Sequence, residues 1–222
     1  MAGKRKSKDE YDIYTKSAVR DHTKGRAKGG QIVAIKKGLK SKASREWKYG
    51  ILTEIITEEG KMKIISTYNN EGIKKTREAI EKVIEEEDTK EIKVLLVGDM
   101  NARIGLEDVG AEGETLLERK SEDKRKNQEG DILIDLCEEN GYTILNGKIK
   151  GDEQGKMTYI GPKGASVIDY LIANEEAKSF VKEMVVEERV KSDHLPIIVT
   201  LKGGTTEKKK LKYEKKKKIK MG

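Results

Sequence analysis

The stretch Val94-Leu95-Leu96-Val97-Gly98-Asp99-Met100-Asn101-Ala102-Arg103-Ile104-Gly105 decides how the rest of this chain reads. Residues 94–97 are apolar without a break, as in a strand covered on both faces. Gly98 ends the run. Asp99 and Asn101 follow one residue apart, just past the strand's carboxyl end. If the strand continues briefly, their side chains share a face. Open α/β folds usually keep their chemistry at such a point. The same residues also suit a plain strand-to-turn junction, since Gly, Asp and Asn are turn formers.

Two later stretches bear on that choice. In Ser166-Val167-Ile168-Asp169-Tyr170-Leu171-Ile172 the alternation is that of a strand, with Val167, Asp169 and Leu171 on one face. An aspartate among such neighbours is costly unless paired, whether in a structural salt bridge or in a working site. Ser192-Asp193-His194-Leu195-Pro196 leads into the apolar run 197–201. Pro196 stands at the strand's first residues, where its missing donor does least harm. Alone, Asp193-His194 reads as a loop dipeptide.

Working outward, strands are expected at 11–15, 31–36, 51–56, 62–68, 92–97, 142–145, 157–160, 166–173, 184–186 and 197–201. Helices are expected at 74–87, where Ile73, Ile80, Val83 and Ile84 form a stripe, and at 131–139, closed by Asn140-Gly141. A short helix fits 175–180. Residues 37–48 read as a basic loop, and 106–130 as a long surface loop tethered by Leu116 and Leu117. Trp47 is open to two readings, a stack on a base or an anchor at the core's edge. His22 lies in a polar loop and reads as solvated.

The composition favours one domain with narrow apolar faces: 222 residues, 39% charged and 35% hydrophobic. Cys137 is the only cysteine, which rules out an internal disulfide and a cysteine-rich zinc site. It fits a reducing, intracellular setting. The net charge of +7 is concentrated at the ends. Residues 205–222 hold nine lysines and two glutamates, and the first eight residues add four positive charges. The ends could attract nucleic acid or simply solubilise the chain. The expected organisation is a disordered basic arm at 1–10, a domain at 11–203 and a lysine-rich tail at 204–222. No internal repeat, phosphate-binding loop, H-E-x-x-H helix or nucleophile elbow occurs.

Gly98-Asp99-Met100-Asn101 resembles the GD-hydrophobic-N signature of the endonuclease/exonuclease/phosphatase superfamily. The stretch around Asp169-Tyr170 resembles its IDY strand, and Ser192-Asp193-His194-Leu195-Pro196 its SDH-x-P signature. Three matches in the family's order make the likeness specific for the fold. The chain is most similar to endonuclease domains of non-LTR retrotransposons, over roughly residues 11–201.

That resemblance implies an α/β fold of two packed, mostly antiparallel or mixed sheets flanked by helices, a DNase-I-like four-layer sandwich. It implies divalent-metal-dependent hydrolysis of nucleic-acid phosphodiesters, with Mg²⁺ or Mn²⁺ as cofactor and DNA, or else RNA, as partner. Asp99 would orient or deprotonate the attacking water, and Asn101 would bond a phosphate oxygen. Asp193, with Asp99, would position the metal. His194 would donate to the phosphate, with Asp169 fixing its ring. Tyr68 would contact the phosphate or leaving oxygen; its other reading is a strand-end aromatic. Arg26 and Lys28 would meet phosphates, or form a charged hairpin. Asn127 would steady the site or cap the next helix. The family's opening strand-helix-strand segment, with its metal-binding glutamate, has no counterpart before Tyr11. On that ground weakened catalysis is expected, with an inactive nucleic-acid-binding or oligomerising homologue as the alternative. A homo-oligomer covering the exposed core is expected too.

Overall fold

Residues 94–97 lie deep inside the protein. The computed structural model describes residues 3–6, 10–19, 29–57, 60–86, 92–110, 118–188 and 192–202. Within them β1 (Gly3–Lys6), β2 (Tyr11–Lys16) and β3 (Gln31–Lys36) form an antiparallel three-stranded sheet. The main sheet has six strands. In chain order they are β4 (Lys40–Trp47), β5 (Gly50–Thr57), β6 (Gly60–Tyr68), β7 (Lys93–Asp99), β8 (Tyr142–Ile144) and β11 (Asp169–Asn174). In space they run β4-β5-β6-β7-β11-β8, which puts β7 in the interior. Two small pairs complete the set: β9 (Tyr159–Gly161) with β10 (Gly164–Ser166), and β12 (Val181–Val186) with β13 (Ile197–Leu201).

β7 pairs parallel with β6 and antiparallel with β11, so the sheet is mixed. A parallel pair needs a crossover, and α1 (Ile73–Glu86) supplies it. The unbroken apolar run of β7 follows from two cores. Val94 and Leu96 face a core closed by Ile73, Ile80 and Val83 of α1 and by Leu133, Leu136 and Cys137 of α2 (Gln128–Glu139). Leu95 is buried on the other face, with Val97 packed against the same cluster. That cluster takes Tyr14 of β2, Ile35 of β3 and Met184 of β12, with half-buried Ile197, Val199 and Leu201 of β13 around it. Two covered faces leave no polar side, hence no alternation. A short α3 (Glu175–Lys178) follows β11 and is capped by Asn174. Among the described residues, no helix is long and apolar enough to cross a membrane.

Several elements differ from expectation. Residues 3–6 pair with β2, where a disordered arm was expected. The expected basic loop at 37–48 is mostly β4, a strand at the end of the main sheet. With Lys40, Lys42 and Arg45 in its sequence the strand has the composition of a loop, and basic residues are one way natural sheets protect their edges. α2 begins at Gln128, earlier than 131. The single strand expected at 166–173 is broken at Val167 and Ile168, between β10 and β11. The expected tether Leu116-Leu117 and the lysine-rich tail lie outside the described residues.

Gly98 does not end the strand; it sits inside β7. Its φ is +136°, and a Cβ there would stand 2.1 Å from the Thr67 carbonyl oxygen of β6. The close parallel approach of β6 and β7 therefore requires glycine. Gly98→Ala should destabilise the fold by about 2–3 kcal/mol, a strained φ and a backbone clash combined. Urea denaturation reads this as a lower midpoint, and an unchanged midpoint would contradict the close approach.

Candidate active site

The site begins with strand register. β11 pairs with β7 so that Asp169 stands opposite Asp99, and β6 places Tyr68 beside Asp99 on the other side. Three polar side chains thus end up abreast at one end of the main sheet. Both aspartates are nearly fully buried.

His194 comes from another part of the chain. Its segment is held by backbone bonds to residues 158–160. Leu195 N donates to Thr158 O at 2.7 Å, and Ile160 N to Asp193 O at 2.8 Å. The Tyr159 ring packs edge-on against the imidazole, with centroids 5.0 Å apart. His194 Nδ1 lies 3.0 Å from each oxygen of Asp169. Its Nε2 is 3.7 Å from Asp99 Oδ2, beyond hydrogen-bond length. One ligand atom from each of Asp99, Asp169 and His194 lies within 4.8 Å of the others, a spacing that could hold a metal ion.

The electrostatics follow from burial and crowding. Burial pushes the Asp99 carboxyl above the usual carboxylate range, and the charge of Asp169 adds to this; His194 and the Asn101 N–H pull the other way. The bond to Asp169 raises the His194 imidazole above its ordinary value against the effect of burial, with the charges of Asp169, Asp99 and Asp193 assisting. Burial and Asp99 also raise the Tyr68 phenol, so it stays a donor at neutral pH.

Asn101 reaches the site by a turn. Its φ of 48° is left-handed, a region that asparagine tolerates. Asn101 N donates to Asp99 Oδ1 at 2.8 Å, and its Nδ2 donates to Asn69 O at 2.7 Å. Alternation along a continuing strand, as expected from the sequence, is not what joins Asp99 to Asn101; a local turn does. Asn69 is buried and in turn donates through Nδ2 to Met100 O at 2.7 Å and accepts from Thr76 Oγ1 at 2.9 Å. It ties the exit of β7 to the first turn of α1.

Two further supports escaped the sequence reading. Thr158 Oγ1 accepts from Ile168 N at 3.1 Å and Asp169 N at 3.0 Å, just where β11 starts. Asn146 Nδ2 donates to Asp169 O at 3.1 Å, and its Oδ1 accepts from Leu171 N at 2.9 Å. It continues the pairing of β8 with β11 through side-chain bonds, at an Asn-Gly pair that ordinarily marks a turn. The one available signal was a polar residue closing an apolar run.

The remaining expected residues fall elsewhere. Asp193 is half-buried beside His194 but is not part of the three-residue cluster. Asn127 is the N-cap of α2; its Oδ1 accepts from Gly130 N and from Arg103 N, each at 2.9 Å. Trp47 is packed against the core with Nε1 donating to Ser66 O at 3.2 Å, an anchor rather than a free stacking surface. Arg26, Lys28 and His22 lie outside the described residues.

Residues 62–198 match the family described as endonuclease-reverse transcriptase. No curated protein matches in sequence. Among solved structures, the chain is similar to the endonuclease domain of TRAS1, a telomere-specific non-LTR retrotransposon. The TM-score is 0.62 at 19% identity, over 87% of this chain and 79% of that one. It is also similar to the Xenopus laevis APE2 catalytic domain, with TM-score 0.56 and 16% identity over 78% of this chain and 71% of that one. A third is the 3′ phosphatase NExo from Neisseria bound to a product DNA hairpin, with TM-score 0.55 and 13% identity over 86% and 79%. At these identities the likeness is one of fold.

In the metal-free protein, the His194 imidazole should titrate above 6.5, and Asp169→Asn should bring it down. A raised imidazole pKa gives stability that is fully present below the unfolded value and lost as pH rises through the folded one. The cost of Asp169→Asn should therefore shrink as the pH rises. An NMR titration of the chain's two imidazoles reads the shift, with His194→Ala for assignment. A His194 titrating at or below the ordinary value would refute the pairing.

Proposed function

Because the chain belongs to the endonuclease-reverse transcriptase family, we propose that it hydrolyses phosphodiester bonds of DNA with a divalent cation, as a retroelement-type endonuclease. The observation that carries this reading is the Asp169–His194 pair, 3.0 Å apart, with Asp99 Oδ2 at 3.7 Å from the other ring nitrogen. A structural salt bridge needs only one carboxylate. Here a second carboxylate is buried beside the pair, and its burial, with the charge of Asp169 added, raises it.

The donor set fits a hard cation. Two clustered carboxylates leave a local excess of negative charge that His194 only partly offsets. Mg²⁺ needs few protein oxygens, since it keeps several waters. Asp193 would bind or help position Mg²⁺ or Mn²⁺, with Asp99 beside it, as the family likeness suggests. When bound, the ion supplies charge neutralisation on the phosphoryl oxygens and acidifies water.

The chain's own residues do the rest. Asp169 fixes the ring of His194 and favours its charged form. With Nδ1 committed, Nε2–H is left to donate to a phosphate oxygen. Asp99 Oδ1 is already engaged by Asn101 N, so Oδ2 is the oxygen that orients the attacking water and takes its proton. Asn101 has used one amide hydrogen on Asn69 O, and the other is free for a non-bridging phosphate oxygen. Tyr68, held protonated, donates to the phosphate or leaving oxygen.

The same reading takes β2–β3 and β12–β13 as one layer of a DNase-I-like sandwich, supported by their common core. It also includes a homo-oligomer, whose interface would cover exposed apolar side chains such as Ile32. A monodisperse monomer in light scattering at high concentration would overturn the oligomer.

Supercoiled-plasmid nicking in Mg²⁺ tests the activity. His194→Ala and Asp99→Asn should each lower the rate by about 10²-fold or more, with secondary structure retained by circular dichroism. Wild-type nicking that persists in both variants, or no nicking by the unmodified chain, would sink the proposal.

A further inference from the structure

Residues 121–127 run alongside the candidate site and are tied to both halves of it. On one side, Asn127 N donates to Arg103 O at 3.0 Å, and Ile104 forms a backbone bridge with Lys126. Arg103 stands two residues beyond Asn101. A Cβ on Gly105 would lie 3.1 Å from Lys124 O, so the two backbones are in close contact. On the other side, Asp123 Oδ2 accepts from Val167 N at 3.2 Å, two residues before Asp169. The buried Asp123 is the hub. Its Oδ1 also accepts from Arg125 N at 3.1 Å and from Arg103 Nη2 at 2.5 Å. Hydrogen bonds and the charge of Arg103 hold its carboxyl below the usual range despite its burial. Ser121 Oγ donates to Asp123 O at 3.0 Å and closes the segment.

Such a segment has little freedom to move, and what it presents is cationic. Several cations near this end of the sheet are paired. Arg103 bonds Asp123, Lys126 bonds Glu107 and Asp131, and Lys48 bonds Glu71. Lys124 and Arg125 are exposed and form no ion pair with any described residue. A paired surface cation is largely neutralised, whereas an unpaired one on a fixed backbone is preorganised for an anion.

We propose that Lys124 and Arg125 form a backbone-gripping rim that contacts phosphates of duplex DNA flanking the scissile bond. The choice of DNA rests on the endonuclease reading. Side chains of successive residues diverge, so the two cations meet different phosphates. Arg125 offers a planar fork and Lys124 a point charge, and both suit phosphate. Contacts to phosphate carry no base information, so the rim gives position and affinity without sequence preference. Asp123 acts through them as a positioning residue.

The test is binding of a short DNA duplex by the full chain in EDTA, followed by fluorescence anisotropy across roughly 50–200 mM salt. Lys124→Ala/Arg125→Ala should flatten the log–log salt slope by about 1.5–2, near 0.9 per lost phosphate contact. Affinity should fall similarly for unrelated sequences, with the thermal midpoint unchanged. Asp123→Asn with the cations intact should weaken binding while leaving most of the slope, since the charges remain but lose their footing. An unchanged slope in the double variant, or no measurable DNA binding by the unmodified chain, overturns the rim. The plasmid assay separates the two ideas. Cleavage with an unmoved slope removes the rim alone; a flattened slope without cleavage removes the nuclease reading and leaves the rim.

Discussion

Everything at the sheet's end depends on the register of β7 between its neighbours. Asp99 lies opposite Asp169 in the antiparallel pair and beside Tyr68 in the parallel one. A slip of one residue on either side would send the partner side chain to the other face. The register is strongly specified because β7 is buried on both sides. Leu95 belongs to one core and Val94 and Leu96 to the other, so any slip would misplace both sets at once. The apolar interior thus sets the polar geometry, and no polar contact has to.

That geometry has an electrostatic cost. Asp99 and Asp169 are nearly buried, adjacent and like-charged, an arrangement a purely structural fold would avoid. His194 offsets part of the repulsion. The Asn101 N–H bonded to the Asp99 carboxylate offsets a smaller part, while the side chains of Thr158 and Asn146 satisfy the backbone of Asp169. Each of these bonds comes from a different segment. The site is therefore held by the convergence of several chain segments rather than by any one loop.

Much of this was legible before any coordinates. The run 94–97 announces a doubly covered strand because it lacks alternation, and Asp169 is conspicuous because a charge among Val167, Tyr170 and Leu171 demands a partner. His194 is legible only through the family likeness, since nothing local distinguishes Asp193-His194 from a loop. The failures have physical causes. β4 resembles a loop because its edge-strand sequence is rich in Lys and Arg. The start of α2 is obscured because Gln128-Glu129-Gly130 has no apolar period; Gly130 is there because a Cβ would meet the Arg103 carbonyl at 2.1 Å. Asn146 and Thr158 were invisible as supports because their work is done on backbone groups far away in sequence, which no local pattern encodes.

Gly98 also bears on how the chain's short signatures should be read. It stands first in the tetrapeptide that reveals the family, yet its role is clearance: the strand beside it leaves no room for a Cβ. Asn127 is similar, since its side chain caps a helix and holds the neighbouring backbone. Such positions answer to the fold and would persist in a descendant that had stopped turning over substrate. His194 answers to a different demand. Its loop is held by backbone bonds that any residue could make, so its loss forfeits the ring's bond to Asp169 but leaves the strands in register, whereas a side chain at Gly98 has no room. In a lineage drifting toward a purely architectural role, the histidine should therefore decay before the glycine, and this chain retains both.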